Sequence, residues 1–325
     1  MSSISILKPE RFQLAALWRY LWRFDRLLAL SVTAYTLVLA ATLAAAIVDT
    51  RLVTGAPVWF KPMKFALSGL LYTSTIIWML TFVRRGRWLA RLLGGVTAVA
   101  LLVEIGLIAF QAARGVRSHF NVGTPFDDQI FTAMGLTILF VWIANLLAAV
   151  LLMAQRLSDR PFAWSMRLAL LITAVGAALG ILMVRPTPGQ AAEIEAGRSP
   201  SIVGAHSIGV EDGGPGLPFT GWSMEGGDLR VPHFVGLHAL QALPLTGVLI
   251  NRFGRRRLSQ RRRTKLVWIA GLGYLGLILL LTWQALRGQP LLEPDALTLA
   301  VLAGLVVTVV ATGAAVVVTA PRPQD

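Results

Sequence analysis

Residues 129–153 read QIFTAMGLTILFVWIANLLAAVLLM, twenty-five consecutive positions without a charge. A helix needs about 20 apolar residues to cross roughly 30 Å of hydrocarbon. Comparable runs recur at roughly 27–48, 65–82, 89–113, 162–183, 232–250, 266–286 and 297–318. The 325-residue chain is 55% apolar and 14% charged, well below the charge content of soluble domains. The reading is all-α: a polytopic membrane helical bundle of about eight transmembrane helices. A transmembrane barrel would show short alternating segments instead.

The pattern divides the chain into four parts. Residues 1–26 read as an interfacial amphipathic helix, with Leu14, Leu17, Trp18, Leu21 and Trp22 on one side and Arg19, Arg23 and Arg26 on another. Residues 27–183 hold helices 1–5. Residues 184–231 form one long loop with ten glycines. Residues 232–325 hold helices 6–8 and the basic linker 251–265. The loop is too poor in apolar residues for its own core. Its second half still carries Val210, Leu217, Phe219, Trp222, Met224 and Leu229, so it is expected to fold over the bundle with Phe219 and Trp222 on helix ends.

Eight spans place both termini on one side. The termini and the 2–3, 4–5 and 6–7 connections, together with Arg91 and Arg167 just inside the adjoining spans, hold 21 of the 30 Lys and Arg residues. By the positive-inside rule the N and C termini are cytoplasmic and the long Gly/Pro-rich loop is extracytoplasmic. Rare lysine, abundant arginine and an Ala/Leu/Val/Gly bias fit a bacterial inner (plasma) membrane protein. The net charge of +14 follows from the same rule, and with no recognition motif it does not imply nucleic acid. The absence of cysteine excludes disulfides and thiolate metal sites.

The orientation gathers all four histidines at or just below the outer face. Asp228 and Pro232 start the sixth span, which biases His233 in its first turn towards the neutral, ligating form. His233 and His238 are five residues apart, about 140° around the helix, so the two do not chelate one ion together. His238 shares a stripe with Phe234, Gln241 and Leu245, and Gly236 admits a flat ligand or a neighbouring helix. Pro244 interrupts the same helix and frees the Leu240 carbonyl.

The metal-ligating candidates are His119, His206, His233, His238 and Asp212. The cofactor-binding candidates are His238, Gln241, Arg117, Arg230 and Lys64, the cations being suited to carboxylates, phosphates or haem propionates. The acid–base candidates are Glu104, His119 and His206. Glu104 shares its face with Ile108 and Gln111, and an ionisable group at that depth is a functional candidate. Lys61 and Lys64 sit one turn apart, with Ser68, Tyr72 and Thr75 below them. Asp127 and Asp128 read first as caps of the fourth span.

These residues point to a His/Arg/Lys-lined ligand or metal site that would take haem b or a divalent zinc or copper ion, with a haem or metal redox role ranked first. A metal-dependent membrane hydrolase acting on lipid is the alternative, followed by a transporter using Glu104 and His238 and a purely structural protein. Whether the chain is an enzyme is left open. The expected partners are the lipid bilayer and a small anionic or lipid-like ligand, with no nucleic acid.

Overall fold

A computed structural model describes residue 22 and residues 26–319. The expectation for residues 1–26 lies almost wholly outside the described residues, as does the end of the 232–325 segment. Seven helices are long and apolar enough to span a membrane, and a bent pair makes an eighth. They are α1 (Arg26–Val48), α2 (Phe60–Leu80), α3 (Arg87–Arg114), α4 (Pro125–Met153), α5 (Arg160–Ala178), continued by the single turn α6 (Gly180–Met183), then, after a long loop, the pair α8 (Arg230–Leu237) and α9 (Ala239–Gly254), and finally α10 (Gln260–Leu286) and α11 (Ala296–Val318). The loop holds the short helix α7 (Pro188–Glu195). Two small hairpins complete the chain: β1 (Leu52–Val53) with β2 (Ala56–Pro57), and β3 (Ser207–Ile208) with β4 (Gly227–Asp228).

Several helices start before their apolar run does. The second begins at Phe60 rather than Phe65, which puts Lys61 and Pro62 in its first turn. Proline costs little there, because the first four N–H groups of a helix have no intrahelical partner. Ser259 caps α10 through the Arg262 N–H, so the basic run 261–265 is helical.

Sequence neighbours pack together: α1 on α2 and α3, α3 on α4, α4 on α5. The centre is α5, which also meets α8, α9 and α10, and the largest buried cluster gathers Met166, Leu170, Leu240, Leu243 and Ile278 around it. The last helix, α11, packs on α10 with Thr298 its one buried residue. In lipid, helices associate through close packing of small residues rather than a hydrophobic force. Accordingly Gly271 faces Leu168, Gly247 faces Ser165, and Gly276 faces Leu305.

The sixth span bends by 45° where α8 meets α9. The break falls at His238, not at Pro244, which lies buried inside α9. The His238 N–H still donates to the Phe234 carbonyl at 3.0 Å, and the His238 carbonyl accepts from Gln241 and Ala242. The proline therefore does not interrupt the helix where the sequence reading placed the break. Gly236 meets a helix: it abuts Gly176 of α5, backbone against backbone.

The two ends of the bundle differ. At the basic end Gln155 ties the 2–3 connection through the Arg84 and Arg85 N–H groups, and Asn251 donates to Asp159 while accepting from Arg263. At the other end lies the long loop. Thr187 and Gln190 close a capping box on α7, and Gln190 then pairs with both backbone groups of Gly204. Gly204 adopts φ +107°, where a side chain would also strike the Met183 carbonyl and Phe120.

From Gly204 the loop runs over the bundle end. Leu229 and Phe120 pack with Met183 and Ala285 in a small core beneath it. Gly227 presses its backbone against Ala285 of α10, and Gly213 meets Gly55 of the first hairpin. Trp222 approaches Phe234 with ring centroids 6.5 Å apart. Phe219 departs from the sequence reading: it stands 59% exposed at a strained φ of +66° rather than packed on a helix end. It is the corner of a tight turn in which Gly221 N–H donates to the Leu217 carbonyl.

Candidate ligand site beneath the long loop

Three elements converge under the loop: the first turns of α2, the turn between α3 and α4, and the start of α8. Lys61 of α2 reaches His119 in that turn, Nζ to Nδ1, at 3.1 Å. An ammonium has only donors, so Nδ1 accepts and the ring proton sits on Nε2. Nε2 points at Glu104 Oε1, 3.6 Å away. That is too long for a hydrogen bond, and Oε1 is buried with no hydrogen-bond partner among the described residues. The other oxygen, Oε2, accepts from Thr137 of α4 at 3.0 Å. A line of ionisable groups therefore runs Lys61–His119–Glu104 from the loop into α3. Glu104, Ile108 and Gln111 share one buried face.

The Ser118 hydroxyl stands 3.1 Å from the same His119 Nδ1. Phe120 follows at φ +64°, and its ring meets His206 edge-on with centroids 4.8 Å apart. His206 Nδ1 donates to Asp212 at 2.8 Å, and Asp212 also accepts the His206 and Ser207 backbone N–H groups. Burial opposes ionisation of Asp212, yet these donors hold its carboxyl below the usual carboxylate range. His233 Nδ1 donates to the Gly176 carbonyl at 2.8 Å.

Cations fasten the loop. Lys64 donates to the Thr220 carbonyl at 2.9 Å, and Arg230 to the Gly221 carbonyl at 2.6 Å. Arg230 also pairs with buried Asp228 at 2.6 Å. Neither lysine ammonium lies within 4 Å of a carboxylate among the described residues, whereas Asp228 and Asp212 are already paired to Arg230 and His206.

The remaining sequence candidates lie elsewhere. Asp127 binds Gln111, Arg114 and Thr124, and Thr124 caps α4, so this carboxylate closes a helix start. Asp128 is exposed. Arg117 enters no ion pair among the described residues, and only its carbonyl is bonded, by Asn121. His238 and Gln241 bond one another on the flank of the bundle. Among the described residues no group of three or more His, Asp or Glu could hold a metal ion. The partners that sequence reasoning missed are Thr137, Ser118 and Asp228. A threonine inside an apolar span carries no distinguishing signal, and Asp228, read as a dipole partner, gathers Ser223 and Arg230 donors.

His119 and His206 lie outside the spans. Burial pushes His119 well below its ordinary value, with the nearby Lys61 charge adding to it. Burial also lowers His206, with Asp212 opposing. Both rings are neutral in the closed form, and an opened loop would titrate near 6.5. Closure is therefore fully stable above that pH and weakens as pH falls through the lowered values, by up to about 1.4 kcal/mol per unit per ring. Amide exchange of residues 204–213, corrected for intrinsic rates, should be faster at pH 5.5 than at 7.5. Equal protection at the two values would show that neither ring is coupled to closure.

No family model, curated protein or solved structure matches the chain. Its class rests on composition and helix length: a multi-pass, helical membrane protein.

Proposed function

We propose that this protein binds a small anion at Lys61 and Lys64 beneath the loop and links that binding to protonation of the His119–Glu104 pair. The observation that carries the reading is the mismatch of charge. Two ammonium groups lie under the loop, Lys61 with an imidazole and the Phe65 ring and Lys64 with a carbonyl as partners among the described residues, while Asp212 and Asp228 are engaged by His206 and Arg230. A carboxylate or phosphate would supply the charge-assisted acceptors that a loop carbonyl replaces poorly. A bound anion would also favour the imidazolium of His119, whose proton can pass towards Glu104. The chemistry suits a proton-linked anion carrier or receptor. Among the described residues no group of three or more His, Asp or Glu supports the metal-redox or metal-hydrolase readings.

The test is calorimetric titration of phosphate, acetate and succinate into the purified protein in two buffers of different ionisation enthalpy. One anion should bind with proton uptake, and Lys64→Gln should weaken it at least about tenfold, the loss of one charge-assisted bond. Binding unchanged in Lys64→Gln and Lys61→Gln would sink the reading. The excess of basic residues at the opposite end supports an extracytoplasmic site. The chain has no cysteine, so one introduced at exposed Glu211 should react with an impermeant maleimide from outside intact cells. Labelling only after lysis would reverse the orientation.

A further inference from the structure

On the flank of the bundle, away from the loop, the break in the sixth span leaves a directed chain of hydrogen bonds. Thr75 Oγ1 donates to the Leu71 carbonyl at 2.7 Å. Its single proton is spent there, so Thr75 can only accept from Gln241, 3.1 Å away. Gln241 must therefore present its amide nitrogen to α2, where it also approaches the Leu71 carbonyl. That turns Gln241 Oε1 towards His238 Nδ1, at 3.2 Å, which makes Nδ1 the donor. In a neutral ring with its proton on Nδ1, Nε2 carries a bare lone pair. No hydrogen bond reaches it among the described residues.

His238 lies eight residues below the start of α8, about 12 Å by helical rise, and is part-exposed. The surface around Gln241 and Thr75 is apolar and open: Leu71 is 43% and Leu245 58% exposed. Inside a bilayer that face meets lipid, where an unpaired acceptor is costly. We infer that this flank is a binding site for a membrane lipid bearing a free hydroxyl, which donates to His238 Nε2 while its chain lies along Leu71 and Leu245. The direction of the chain decides the chemistry, because a ligand with acceptors only would find no donor at that nitrogen.

The probe pair is 1-hexadecanol and its methyl ether, which differ by the one donor. Protein carrying 15N-labelled histidine, in phosphatidylcholine nanodiscs, is titrated with each and the imidazole nitrogens are recorded. Hexadecanol should shift one Nε2 resonance, the one missing in His238→Phe, and the ether should need about tenfold more for any effect, the worth of one hydrogen bond. If His238→Phe fails to fold, Leu245→Trp, which crowds the lipid face, should reduce the hexadecanol shift. The inference is overturned if alcohol and ether act alike, if neither moves a resonance, or if a porphyrin absorption band vanishes in His238→Phe. The last result would assign the lone pair to iron. Lys64→Gln should leave the hexadecanol shift intact, so failure here is separable from failure of the anion site.

Discussion

Gly176→Val should destabilise the bundle by at least about 3 kcal/mol, the upper range for overpacking a tight core. A Cβ at Gly176 would overlap the Gly236 backbone and stand 2.8 Å from the Leu237 nitrogen. Neither neighbour is a flexible side chain, so α5 and α8 would have to separate. Separation would break more than packing: His233 bonds the Gly176 carbonyl, and Thr173 bonds that of Leu237. The same crossing sets the α8 start, and with it Arg230 and the loop anchor. Unfolding in mixed dodecyl sulfate micelles would measure the loss. Gly106→Ala is the control, since nothing lies within 4 Å of its missing Cβ. Its helix should gain up to about 1 kcal/mol from the better helix former. Equal behaviour of the two variants would mean that the crossing does not hold the span.

Physical scale explains which parts of this arrangement are legible in sequence. Spans are legible because crossing hydrocarbon demands some 20 apolar residues, whatever the neighbours do. Their ends are less so: Phe60 and Gln260 open helices in polar or proline-bearing stretches, because hydrogen bonding, not hydropathy, ends a helix. Facing within one helix is also legible. Glu104, Ile108 and Gln111 are buried together, and His238 meets Gln241 across three positions. Contacts between helices are not. Nothing in the local pattern tells that Lys61 meets His119 or that Thr137 supports Glu104, for each pair joins different elements. The bend is a further case. Pro244 is the local breaker, yet the 45° turn comes at His238, above it. The backbone contact of Gly236 with Gly176 fixes the upper helix and leaves the turn to the next residue.

The loop's hold on the bundle depends on one carboxylate. Asp228 is 2% exposed and accepts from the Ser223 N–H at 2.7 Å, the Arg230 N–H at 2.9 Å and the Arg230 guanidinium at 2.6 Å. It thus closes residues 223–230 and aims Arg230 at the Gly221 carbonyl. Removing one partner of a buried ion pair costs about 3–5 kcal/mol, because the other charge stays behind unsatisfied. Arg230 is part-exposed and can turn outwards, which lowers that figure for Asp228→Ala to about 3 kcal/mol or less of local closing energy. The loss should appear as faster amide exchange across residues 217–230 with the spans still protected. Lys64 cannot compensate, since its bond is to the Thr220 carbonyl of the same turn and loosens with it. Asp228→Asn separates charge from hydrogen bonding. The amide oxygen can keep the Ser223 contact but not the paired guanidinium, so its exchange rates should fall between the wild type and alanine. Protection unchanged in both variants would place the anchor in the Gly227–Ala285 contact instead. The loop would then stay shut through backbone packing, and an anion would gain nothing by competing for its cations.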